Sequence, residues 1–180
     1  MTRSDARRQP TRAYFGQKDI QQALLLRRMC SDLLTTHPLP RNLHIIPTYR
    51  SSTDGLAFSS RNVYLTPAER EVAGVLYQSL LVGQNAWNDG GGREGALAAA
   101  VAHIAKVKHK VEANKKGGGE LTVVLDYIEM NDPESFDVVD WDTKVGDGRP
   151  VVLSGALWLG RTRLIDNIIL SDVQGKIISW

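Results

Sequence analysis

The chain has little of what would send a protein out of the cell or into a membrane. It holds one cysteine, Cys30, in 180 residues, so no internal disulfide framework forms and a reducing compartment is expected. Cys30 follows Met29 in a helical pattern and reads as packing, not as a nucleophile. No apolar run approaches the ~20 residues needed to span a bilayer. The start is polar and lacks the apolar core of a secretory signal. Charge of one sign is also scarce. The net charge of +2 is too small to imply nucleic acid by itself. A cytoplasmic protein with no membrane and no nucleic-acid partner is the expectation.

What is present is a globular composition, 42% hydrophobic and 23% charged, enough for one ordinary domain or two small ones. Charge concentrates at the front, where Arg3, Arg7, Arg8 and Arg12 face only Asp5. With no amphipathic repeat, residues 1–12 read as a disordered basic leader. Residues 13–15 form an apolar run closed by Gly16, the mark of a strand end. Residues 20–34 are rich in helix formers. Asp19 with Gln22 resembles a capping box at the helix start, and Pro38 and Pro40 stop the helix. Residues 43–48, centred on Ile45 and Ile46, read as a second strand. Strand, helix, strand is a βαβ unit and implies a parallel pair.

Residues 50–62 show no hydrophobic period and read as a long loop. Thr66-Pro67-Ala68-Glu69 is a strong helix start. That helix places Val72, Val75, Leu76 and Leu80 on one face and runs to about Ala86. A breaker at 88–92 precedes a second helix over 94–116, striped by Leu97, Val101, Ile104, Val107 and Val111. Strands are expected over 121–130, 151–159 and 164–170, the last two joined through Gly160-Arg161-Thr162-Arg163. The chain therefore opens as α/β and closes as a small α+β arrangement with about three strands. The natural cut gives residues 13–63 and 64–180 as two units.

Two motifs carry chemistry. In Gly16-Gln17-Lys18-Asp19 a glycine after a strand lets a ligand approach the backbone. The following helix start offers unpaired N–H groups and partial positive charge, and Lys18 adds a full cation. These features favour a polyphosphate. Asp19 could cap the helix, contact a ribose or help hold a metal-bound water. In the second motif, Ser59-Ser60-Arg61, two hydroxyls and a guanidinium on a long loop can grip phosphate oxygens and close over them. Either motif alone is weak, because glycine-ended strands and loop serines are common in proteins that bind nothing.

The full pattern is more specific. Gly16-Gln17-Lys18-Asp19-Ile20-Gln21-Gln22, then Pro47-Thr48-Tyr49-Arg50, then residues 54–65 beginning Asp54-Gly55-Leu56-Ala57-Phe58-Ser59-Ser60-Arg61-Asn62, resemble pantothenate synthetase (pantoate–β-alanine ligase). Asp126-Tyr127-Ile128-Glu129 and the run from Arg161 to Asn167 resemble that family's C-terminal part. Between Arg50 and Asp54 stands Ser51-Ser52-Thr53, one residue more than the commoner form. The resemblance implies a Rossmann-like, nucleotidylyltransferase-type fold and an ATP-dependent ligase. In such an enzyme the pantoate carboxylate attacks the α-phosphorus of ATP, giving pantoyl adenylate and pyrophosphate. β-Alanine then displaces AMP. Lys18 matches the catalytic lysine. Gly16, Gln17 and Asp19 lie on the nucleotide-binding stretch. Gln22 matches a pantoate-binding glutamine. Ser59, Ser60 and Arg61 match the phosphate-gripping loop, Phe58 borders adenine, and Tyr49 lies where adenine is contacted through backbone. ATP as substrate, Mg2+, pantoate and β-alanine as partners, and a homodimer all come with the resemblance.

The family's His-x-Gly-His stretch has no counterpart here. His37, His44, His103 and His109 read as surface or packing residues, and the chain resembles the back half of the enzyme. Little ligase activity is expected of it alone. A non-catalytic nucleotide-binding or dimerisation module is the competing reading, and a synthetase fragment acting on RNA is a weaker third. Lys106, Lys108, Lys110, Lys115 and Lys116 read as a solvated helix face. Trp141, Trp158 and Trp180 read as packing residues. The acidic run from Asp132 to Asp142 has no metal-ligand spacing and reads as a surface loop.

Overall fold

The structure, a computed structural model, describes residues 11–113, 121–146, 148–172, 175 and 177–178. Most of the basic leader, Lys115, Lys116 and Trp180 lie outside these residues. Strand β1 (Ala13–Gly16) and strand β2 (Leu43–Ile46) pair in parallel, from Ala13 opposite Leu43 to Gly16 opposite Ile46. Helix α1 (Ile20–Asp32) joins them and buries Ile20, Ala23, Leu24 and Cys30, so the cysteine does pack. The capping box expected at Asp19 does not form, since Asp19 makes no side-chain cap bond. The chain instead enters α1 through a 3-10 turn, Gln17–Asp19, whose tighter backbone takes the place of a side-chain cap. α1 also stops before the prolines. Leu34 turns left-handed at φ 52°, and the Thr35 amide and hydroxyl both donate to the Cys30 carbonyl.

The Thr66 capping box forms as expected. The Glu69 amide donates to Thr66 Oγ1, and the Thr66 amide donates to Glu69 Oε2. The helix it starts is broken, however, into α2 (Pro67–Val72) and α3 (Val75–Ala86). At the break a Cβ on Gly74 would lie 2.5 Å from the Asp54 carbonyl oxygen, so only glycine lets the loop backbone press this close. A turn at Trp87–Gly91, with Gly90 at φ 88°, leads into α4 (Gly92–Ala113). Trp87 is fully buried, whereas Trp141 is 76% exposed and Trp158 38% exposed. The packing role expected of Trp141 is therefore corrected. Its side chain follows a surface turn, and the core instead holds Trp87 at a helix end.

Strands β3 (Val123–Asn131), β4 (Val151–Leu159) and β5 (Thr162–Leu170) form an antiparallel sheet in the order β3-β4-β5. One face packs Leu157 and Leu159 against Val75, Leu76 and Ile104 of α3 and α4. The other sets Val152 and Ile169 against Ile20, Leu24, Leu43 and Ile45 of the βαβ unit. β4 is central and covered on both faces, which explains why Ser154 is its one polar residue. Arg27 of α1 donates to the Leu43 and Ile177 carbonyls. Burial pushes its guanidinium below the usual arginine range, and Asp172 offsets part of that. Among the described residues no helix is long and apolar enough to cross a membrane.

Candidate functional site

The turn between β1 and α1 is the first wall. Gly16 has ordinary extended backbone (φ −76°, ψ 137°), so its conformation does not demand glycine. A Cβ there would meet nothing within 4 Å, which leaves open space beside the backbone. Gln17 is buried, Lys18 half-buried and Asp19 exposed. Asn167 of β5 holds this turn. Its Nδ2 donates to the Gln17 carbonyl at 2.9 Å and the Lys18 carbonyl at 3.1 Å, and its Oδ1 accepts from Gln17 Nε2 at 3.2 Å.

The second wall is the segment after β2, expected as one long irregular loop. Its first part is instead a small locked hairpin. Arg50 bridges Ala57, the Ser51 amide donates to the Leu56 carbonyl, and the Phe58 amide donates to the Tyr49 carbonyl. Gly55 is left-handed (φ 76°), and a Cβ there would collide with the Tyr77 ring. Arg50 lies over that same ring, 3.7 Å from its centroid, and pairs with Asp166 at 2.5 and 2.8 Å. Arg70 clamps Asp54. That hydrogen bond holds the Asp54 carboxyl below the usual range and raises the Arg70 guanidinium. Beyond the hairpin, Ser59 Oγ accepts the Arg61 amide and starts a 3-10 turn, Ser60–Tyr64.

These walls meet. Lys18, Ser59 and Arg61 line one narrow cavity of about 10 Å³, together with Asp166 and Arg163. Lys18, Asp19 and Gln22 line an adjoining cavity of about 180 Å³ with Tyr127, Ser154 and Asn167. Lys18, Ile165 and Asp166 border both. Ser60, Tyr49 and Phe58 border neither. Tyr49 and Phe58 instead stack on each other, 5.2 Å between centroids, and are 80% and 56% exposed. Gln17 faces a third cleft with Arg50 and Asn167. None of the four histidines lines the two Lys18 cavities; His44 stacks on Tyr14, and His109 sits beside Glu112 on α4. Among the described residues neither Lys18 nor Arg61 is in a salt bridge, and no three His, Cys, Asp or Glu side chains converge as a metal site.

Sequence reasoning did not assign Arg50, Tyr127, Asp166 and Asn167 to the site. Their signal was there. Asp166 and Asn167 are two polar residues inside the otherwise apolar run 164–170, and buried polar groups need a partner.

A family model described as Pantoate-beta-alanine ligase matches residues 6–169. The bifunctional pantoate ligase/cytidylate kinase of Synechococcus sp. (strain JA-2-3B'a(2-13)) is 40% identical over 168 residues, which is 93% of this chain and 27% of that protein. The pantothenate synthetase of Thermotoga neapolitana is 40% identical over 161 residues, 89% of this chain and 50% of the relative. The crystal structure of pantothenate synthetase from Thermus thermophilus superposes with a TM-score of 0.67 at 35% identity, covering 88% of this chain and 49% of that one. The chain thus spans about half the length of these pantothenate synthetases.

Proposed function

Because the chain belongs to the pantoate–β-alanine ligase family, we propose that it carries the phosphate-binding part of an ATP-dependent ligase. That ligase joins pantoate to β-alanine through pantoyl adenylate, giving pantothenate, AMP and pyrophosphate. The observation that carries this reading is the meeting of Lys18 and Arg61, from separate segments, at one cavity. The first chemical step builds negative charge on phosphate oxygens, so it is governed by positioned cations and hydrogen-bond donors. Lys18 stabilises the charge developing on the α-phosphate. Ser59 and Arg61, with Ser60 on the exposed side of the same turn, hold the outer phosphates. The 10 Å³ cavity has room for about one water, so nucleotide entry requires the 58–65 segment to swing outward and close again.

The 180 Å³ cavity containing Gln22 suits a small hydroxy acid. The shared border at Lys18 would set its carboxylate beside the phosphorus. The Gly16–Gln17 backbone, Tyr49 and Phe58 flank the adenosine. Mg2+ arriving on the nucleotide would help neutralise the phosphates, and Asp19, adjacent to Lys18 in sequence, would be the carboxylate to hold one of its waters. Division into units 13–63 and 64–180, a homodimer and a cytoplasmic setting belong to the same proposal.

The match to about half of each pantothenate synthetase favours a second statement. By itself the 180-residue chain binds nucleotide but turns over little or not at all. Calorimetry tests the reading: the chain binds ATP, and Lys18→Ala or Arg61→Ala weakens binding by at least about tenfold, as expected for lost charge-assisted contacts. Equal affinity in all three would sink it. Pantoate-dependent exchange of pyrophosphate into ATP, abolished by Lys18→Ala, would overturn the low-activity statement alone.

A further inference from the structure

We propose that Asn167 is the positioning residue for Lys18, acting through the peptide planes on either side of it; this rests on the phosphate-binding reading above. Asn167 is 2% exposed in the middle of β5, a place where an aliphatic side chain would pack without any need for partners. A buried amide is retained there only if every polar atom is used. All of them are. The two Nδ2 protons go to the Gln17 and Lys18 carbonyls, and Oδ1 takes the Gln17 side-chain amide.

The two carbonyls are the decisive partners. One belongs to the peptide before Lys18 and the other to the peptide after it. Anchoring both planes fixes φ and ψ at Lys18 and therefore the direction of its Cα–Cβ bond. The 3-10 turn has no side-chain cap of its own, so this anchor comes from the sheet. The anchor is itself held. The Asn167 backbone N–H donates to Asp166 Oδ1 at 2.8 Å, and Asp166 is gripped by Arg50. A polar relay thus runs from the Arg50 hairpin through β5 to the lysine turn. Only an amide offers two donors and an acceptor from one small side chain. Aspartate has the same shape but presents oxygens to both carbonyls.

The test is a double-mutant cycle on ATP binding to the full chain by calorimetry, with circular dichroism and thermal melting as controls. Asn167→Asp is expected to weaken ATP about 10- to 100-fold, the loss associated with displacing a contact group by about 1 Å. The double variant Asn167→Asp/Lys18→Ala is expected to bind no more weakly than Lys18→Ala alone, because both changes remove the same contact. A purely structural role predicts additive losses instead, and additivity would overturn the proposal. So would an Asn167→Asp chain that binds ATP like the parent while Lys18→Ala does not. Parent and Lys18→Ala binding alike would sink the phosphate-binding reading itself. If Asn167→Asp does not fold, Asn167→Ser, which keeps one donor, replaces it in the same cycle, and additivity with Lys18→Ala again overturns the proposal.

Discussion

Strand β4 is buried at eight of its nine positions, whereas β1 alternates half-buried and exposed and has no fully buried residue. The two ends of the chain solve the same problem differently. The antiparallel sheet is sandwiched, with α3 and α4 on one face and the βαβ unit on the other. The βαβ unit has two strands of four residues each and too little surface to close a core alone. It completes its core with Val152, Ile169 and Ile177 from the far end of the chain. The candidate site lies where the unit that borrows meets the sheet that lends. The lysine turn is held from β5 through Asn167.

Emptying each core in turn separates the two regions most strongly. Leu157→Ala, in the doubly covered strand, is expected to cost about 3 to 5 kcal/mol in urea unfolding. Ile45→Ala is expected to release the βαβ unit locally, speeding amide exchange in α1 while β4 keeps its protection. Equal loss of protection in both halves would show a single undivided core. Next in size is the link between the halves. Arg50 and Asp166 side chains are 16% and 5% exposed, and Asp166→Ala strands a largely buried guanidinium. A loss of about 3 kcal/mol is expected, and a loss below about 1 kcal/mol would mean the hairpin and the sheet are not coupled through this pair.

Gly55→Ala probes the hairpin alone. The left-handed backbone and the close Tyr77 ring predict a loss of about 1 to 3 kcal/mol, with the antiparallel sheet unchanged by circular dichroism. The smallest effect is electrostatic. Asp54 has a folded-state pKa below its unfolded value because Arg70 donates to it. Between those two values the unfolded chain binds more protons, so stability rises with pH there. The contribution is complete above the unfolded carboxylate range near ~4 and vanishes as pH falls through the folded value. Arg70 is 40% exposed, so solvent limits the contribution to about 1 kcal/mol. Asp54→Asn should flatten that acid limb, and an unchanged limb would assign it to other carboxylates.

Local signals were read correctly where the physics is local. Thr66 and Glu69 meet within one helical turn, so their capping box follows from spacing. The apolar runs at 151–159 and 164–170 are long and β-rich, and both became strands, β5 reaching back to Thr162 through a two-residue turn at Gly160, φ 54°. Lys18, Ser59 and Arg61 were legible as candidate phosphate-binding groups from residue type and motif, and Gln22 as a candidate pantoate contact only through the family resemblance. The errors fall where distant residues decide. Asp19 and Gln22 had capping-box spacing, yet Asn167 anchors that turn instead. Residues 50–58 look irregular in sequence because, besides their own short hairpin bonds, the contacts that hold them reach Asp166, Arg70 and Tyr77. Trp87 and Trp141 are both tryptophans in polar surroundings along the chain, and only packing tells which is buried.

The order of strands and helices, the lysine at the β1–α1 turn and the serine–arginine turn were determined by sequence alone, since propensity, capping and hydrophobic period act over a few residues. Bringing Lys18 and Arg61 to one cavity, and fixing the lysine turn from β5, was decided by tertiary structure. The hydrogen bonds concerned join residues as far apart as 150 positions, and no local preference encodes a partner at that distance.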